Sequence, residues 1–131
     1  MPIIEVNLIP PQTDPEVLKK LCLDLFQAVA GVQELHLTDR DTSVLLRPDI
    51  LDWGIGSELI VFVDGLFQKP ERTQEVIDRL LAVIGECILA FAREHVPQCT
   101  KVEVIPRVFD QANGFWSATL AGLHPLDEEP E

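Results

Sequence analysis

Two stretches of this chain, 58 residues apart, carry one pattern. "TSVLLRPDILD" (42–52) and "TKVEVIPRVFD" (100–110) share a threonine, a valine, a proline, an aliphatic residue, a bulky apolar residue and an aspartate, with Pro48 matching Pro106. Upstream, "PEVLKKL" and "QEVIDRL" align at an offset of 59. A chain of 131 residues that repeats itself in this way is an internal duplication of one unit of about 60 residues.

Each unit reads as β-α-β. Ile3 to Ile9 is rich in Ile and Val and stops at Pro10 and Pro11. Asp14 is a good N-cap with Pro15 at the first helical position. Val17, Leu18, Leu21, Cys22, Leu25 and Val29 then recur at helical spacing up to Gly31. "TSVLLRPDIL" is a second strand, interrupted by Pro48, and "WGIGS" is a turn or short hairpin. In the second unit, the unbroken run Leu59 to Val63 predicts a strand covered on both faces. "KPERTQEVIDRLLAVIGECILAFAREH" predicts a long helix, with Val76, Ile77, Leu80, Leu81, Ile84, Ile88 and Leu89 on one stripe. "TKVEVIPRVF" is the fourth strand, and "DQANGFW" a polar and aromatic turn.

A β-α-β crossover is right-handed and sets its two strands parallel. The expectation is therefore an α/β domain, a two-layer α+β sandwich with one four-stranded mixed sheet and both helices on one face. Unit one spans 2–57, unit two 58–122 and an acidic tail 123–131. The other sheet face carries apolar residues and needs a cover, most simply copies of the same chain, so a homo-oligomer is expected.

Composition narrows the function. A 47% hydrophobic chain of this length supports one domain with a real core. No apolar run approaches the roughly 20 residues of a membrane span, and no basic region with a small-residue cleavage site opens the chain. Cys22, Cys87 and Cys99 are odd in number and lack CxxC spacing, which reads as reduced thiols in a cytoplasmic protein. The net charge of -12 disfavours nucleic acid, whose affinity for proteins comes mostly from Lys and Arg on phosphates. A small anionic substrate would have to be held by local cations.

The Met1-Pro2 start running into a strand, the two tandem units, and a turn with Gly and an aromatic residue after each second strand together resemble the tautomerase superfamily. "TSVLLRPDILDWGIGSE" is similar to the second strand and hairpin of its short members, the 4-oxalocrotonate tautomerase type. "FDQANGFWSATLAG" is similar to the C-terminal segment of the macrophage migration inhibitory factor type. The resemblance runs over about residues 2 to 122. It implies a cofactor-free tautomerase or isomerase, assembled as a homotrimer, in which the N-terminal proline amine, here that of Pro2 after Met1 removal, is the general base on a small 2-oxo or enol acid. An ordinary α-amine has a pKa of about 7.7–8.0. Burial or nearby cations lower it toward the working pH, where a base abstracts protons best.

The resemblance transfers unevenly to the other site residues. Where the family carries an arginine after strand one, this chain has "PPQT", and the same place in unit two holds Lys69. The family's strand-two arginine falls on Leu45, with Arg47 two residues on, and in strand four on Glu103, with Arg107 four residues on. By strand alternation Arg47 and Arg107 stay on the expected face and are the leading candidates for a bidentate grip on a substrate carboxylate. The alternative for each is an ion pair on this acidic protein. Trp53 in unit one and Phe115 in unit two take the place of the family's pocket aromatics, or else pack at subunit contacts.

Other chemistry finds little support. His36, His95 and His124 are scattered, so no metal site is expected. No serine sits in GxSxG, and no glycine-rich loop leads into a helix. Two further readings remain: a tautomerase-like oligomeric binding module with Pro2 idle, and a dehalogenase or hydratase variant with Pro2 protonated.

Overall fold

The structure, a computed structural model, describes residues 2–38, 41–51, 56–118 and 120. The elements follow the duplicated order: β1 (Ile3–Ile9), α1 (Pro15–Ala30), β2 (Ser43–Pro48), then β3 (Glu58–Phe67), α2 (Gln74–His95) and β4 (Lys101–Phe109), with 3-10 turns at Gln33–Leu35 and Gln111–Asn113. One mixed sheet has the order β2-β1-β3-β4. Within each unit the strands are parallel, β1 with β2 and β3 with β4, and the units join antiparallel through β1 and β3.

The helices start where side chains satisfy their free N–H groups. The Asp14 carboxylate accepts from the Glu16 N–H at 2.9 Å, with Pro15 first in the helix. The Thr73 hydroxyl accepts from the Val76 N–H, so α2 begins after "KPERT" rather than within it. Gly31 caps α1 in a right-handed conformation that any residue could adopt.

Leu21, Leu25 and Val29 of α1 and Leu80, Ile84 and Ile88 of α2 pack over Ile4, Val6, Leu59, Val61 and Val63, all buried in one core. Burying such a side chain contributes about 1.5–3 kcal/mol before entropy is counted. Leu89, expected on the α2 stripe, lies at its edge and stays 38% exposed, while Phe91 and Ala92 extend the buried face instead.

The run Leu59 to Val63 is covered differently from the expectation. Its burial alternates: Leu59, Val61 and Val63 are sealed under the helices, and Ile60 and Phe62 are only half-buried on the opposite face. That open face continues onto Leu45 and Ile105, which are exposed, and Ile3, which is half-buried. The described residues leave that face without a full cover.

Candidate functional site

Pro2 lies just before β1 and is buried. Its carbonyl accepts from the Ser43 N–H at 3.0 Å, and the next residue, Ile3, faces Ser43 on one side and Asp64 on the other. Extending both registers by one residue sets Pro2 between Thr42 of the β2 side and Gly65 of β3. Gly65 has φ 76° and sits in an irregularity of β3, where the β4 pairing jumps from Val63–Pro106 to Leu66–Val108. Asp64 and Gly65 together therefore oppose Arg107. A positive φ in a strand suits glycine, and a bulge of this kind re-aims neighbouring side chains.

The re-aimed pair is Asp64 with Arg107. Arg107 donates through Nε to Asp64 Oδ1 at 2.5 Å and through Nη2 to Oδ2 at 2.6 Å, a two-point guanidinium–carboxylate contact. The hydrogen bond it donates to Asp64 holds the Arg107 pKa above its already high ordinary value. The Arg107 guanidinium also lies 4.2 Å from the centre of the Phe62 ring, and its Nη2 is 3.5 Å from Glu5. Arg47 approaches the other oxygen of Glu5, also at 3.5 Å. Of the two arginines, Arg107 belongs to the Pro2 end of the sheet. Arg47 pairs with Asn7, five residues along β1, or about 16 Å at the usual strand rise.

Past Gly65 the same end becomes aromatic. Phe67 and Phe109 face each other across β3 and β4 with ring centres 5.7 Å apart, and Phe115 returns after the last 3-10 turn to stack edge-on to Phe67 at 5.0 Å. Phe115 remains 52% exposed, so one side of this three-ring cluster is open. Lys69 follows β3 at the same end and is half-buried, with no ion-pair partner among the described residues. Arg72 donates to the Phe67 carbonyl at 2.8 Å, which holds the turn around Lys69. Trp53, the aromatic candidate of unit one, lies outside the described residues.

Comparisons with known structures decide the fold. A fused 4-OT in an asymmetric trimer superposes with a TM-score of 0.64 at 17% identity, over 84% of this chain and 88% of that one. Pt0534, in a structure inactivated by 2-oxo-3-pentynoate, gives 0.62 at 22% identity, over 92% of both chains. The fold is that of the tautomerase superfamily. FG41 malonate semialdehyde decarboxylase, inhibited by 3-bromopropiolate, gives 0.56 at 18% identity over 95% of this chain and 92% of that one. No family model and no curated protein sequence matches the chain.

On this tautomerase-type scaffold several residues were invisible to sequence reasoning. Glu5 and Asp64 read as ordinary strand carboxylates until the sheet set them beside the arginines. Asp64-Gly65 inside an otherwise apolar strand did carry a signal, since a glycine in a strand marks a bulge or a close backbone approach. Thr42 carried none. It is 7% exposed, and its hydroxyl finds no hydrogen-bond partner.

Two grooves lie elsewhere. One, of about 150 Å³, sits at the opposite end of the sheet and is lined by Leu8, Pro10, Pro11, Asp49 and Glu58 among others, with no Lys or Arg in its wall. The other, of about 830 Å³, runs between α1 and α2, where Glu16, Asp24, Glu86 and Glu94 outnumber Lys20. Neither takes in Pro2, and neither has the cations a carboxylate needs. Burial pushes the Cys22 and Cys87 thiols up, away from the reactive thiolate. No group of three or more His, Cys, Asp or Glu side chains that could hold a metal occurs among the described residues. No helix there is long and apolar enough to cross a membrane.

Proposed function

We propose that this protein is a cofactor-free tautomerase or isomerase in which the amine of Pro2, freed by removal of Met1, is the general base on a small 2-oxo or enol acid. The observation that carries the reading is the burial of Pro2 beside the Asp64–Gly65 bulge, at the sheet end that also holds Arg107, Lys69 and the Phe67–Phe109–Phe115 cluster. Burial disfavours the ammonium form and brings the amine toward neutrality at working pH. The base removes a proton from carbon or from an enol hydroxyl and returns it at the other position, so the net reaction moves one proton and needs no redox partner. Lys69 and Arg107 hold the carboxylate and the developing enolate charge, and the phenylalanines keep water out.

The apolar open face is covered by further copies of the chain, a trimer in this reading, as in the fused 4-OT trimers that share the fold. Trp53 is assigned to the aromatic wall of the same pocket, and Arg47 to the subunit contact or to a neighbouring pocket.

One observation favours a second reading. Arg107 and Arg47 are both engaged by carboxylates of their own chain, as expected of an oligomeric binding module with Pro2 idle. Phenylenolpyruvate ketonisation separates the two. The tautomerase reading expects turnover by the processed protein that Pro2→Ala removes while the fold and assembly persist. Equal rates in the two proteins would leave the binding module.

A further inference from the structure

The Thr42 hydroxyl is the one buried side-chain polar group among the described residues that finds no hydrogen-bond partner. An orphaned buried hydroxyl is uncommon in native proteins and asks for a reason. Its position supplies one. β1 and β2 are parallel with Ile3 opposite Ser43, and the Ser43 N–H bonds the Pro2 carbonyl. Thr42 therefore stands directly beside Pro2, and both are buried.

The duplication provides an internal control. Thr100 is the counterpart of Thr42, 58 residues on, and Ser57 is the counterpart of Pro2, because its carbonyl accepts from the first residues of β4 as that of Pro2 does from β2. The Thr100 hydroxyl is exposed and donates to the Ser57 carbonyl at 3.2 Å. Thr42 has the same local choice and does not take it. The two sites differ in what stands across from the threonine: an internal serine in unit two, and in unit one a proline that is the residue next to the chain start.

We propose that Thr42 is the positioning residue of the Pro2 amine: once Met1 is removed, its hydroxyl accepts a hydrogen bond from the proline N–H and fixes the direction of the lone pair. This rests on the reading of Pro2 as a base. A secondary amine keeps one N–H when neutral and has two when protonated, so one hydroxyl acceptor can hold one N–H in both states and leave the other position for the substrate proton. Other charged groups lie at or near this end of the sheet: Asp64 and Arg107 on β3 and β4, Glu5 on β1, Lys69 in the connection after β3, and Asp41 beside Thr42 in sequence. Of these, Asp64, Arg107 and Glu5 are tied to one another, and Asp41 accepts from the Thr38 N–H. Lys69 offers only donors, which leaves Thr42 as the buried neighbour whose hydroxyl can accept and has no partner among the described residues.

The test uses processed protein carrying a nitrogen-15 label in Pro2, with the amine titrated by NMR and phenylenolpyruvate turnover measured in parallel. A hydrogen bond to the charged form is the stronger one. Thr42→Val is therefore expected to lower the Pro2 pKa by about half a unit or more and to reduce kcat about tenfold with KM little changed. Thr42→Ser restores both. If the valine variant does not fold, Thr42→Ala removes the same hydroxyl and is read in the same way. A Pro2 pKa and kcat unchanged in the folded hydroxyl-free variant overturn the assignment. A shifted pKa in a protein without any Pro2-dependent turnover would uphold the hydrogen bond and sink the tautomerase reading instead, so the two failures are distinguishable.

Discussion

One end of the sheet carries Pro2, just before β1, and the other carries Ser57, just before β3. The two ends share one frame: a carbonyl receiving the start of the parallel partner strand, a threonine beside it, and an apolar strand running away beneath a helix. They diverge in everything chemical. The Pro2 end gathers Arg107, Lys69, Asp64 and three phenylalanine rings. The Ser57 end has Pro10, Pro11, Asp49 and Glu58 around a small cavity with no Lys or Arg in its wall. In the proposed reading the Pro2 position is the reactive one of the two, because a peptide nitrogen such as that of Ser57 has no basic lone pair.

This asymmetry can be broken by experiment. The largest effect is expected at the amine. Pro2→Ala should cost about 10²–10⁴-fold in turnover, the usual contribution of a positioned general base, whereas Ser57→Ala should leave the rate unchanged in steady-state assays. Next comes stability, where the two units should behave alike. Ile4 and Leu59 are matching core positions, both essentially inaccessible to solvent. Ile4→Ala and Leu59→Ala should each lower the unfolding free energy by about 2–5 kcal/mol in urea titrations. A large difference between them would mean that the two units do not share one core.

The two arginines should differ in the same way. Arg107→Ala should reduce kcat/KM by roughly ten- to a hundredfold, in line with a charge-assisted hydrogen bond of about 1.5–3 kcal/mol. Arg47→Ala should cost less than threefold if Arg47 serves only Glu5. The reverse order would move the carboxylate site to the other end of the sheet. The smallest effect concerns the link between the units on the helix side, where Arg79 of α2 binds Glu34 of the first 3-10 turn. That contact lowers the Glu34 pKa, so its stabilisation is present above the carboxyl's ordinary pKa and is lost as pH falls through the lowered one. Glu34→Gln should lower Tm slightly at neutral pH and leave it unchanged in strong acid, as thermal melts across that range would register.

Much of the frame was legible in the sequence because it is periodic. The helix stripes, Leu89 apart, the Asp14–Pro15 start and the second strand of each unit follow from local rules, and each reappears in the structure. Ile60 and Phe62 are only half-buried here, since an apolar run records burial without naming what does the burying. The site was less legible. Arg107 could be chosen as a candidate from strand alternation, but nothing in the sequence separated it from Arg47, because the antiparallel joining of the units decides which end of the sheet each occupies. Asp64, Glu5 and Thr42 acquire a role only through cross-strand register, and register depends on a bulge whose trace in the sequence is the single glycine at 65.

The central claim is that the reactive group is an amine created by losing one residue. Samples spanning a range of Met1 removal, obtained by varying the processing enzyme, can be assayed for phenylenolpyruvate ketonisation while intact mass gives the processed fraction of each. The account predicts a rate proportional to the fraction of chains beginning at Pro2, with a line through the origin. A rate that stays constant as Met1 is lost would contradict it.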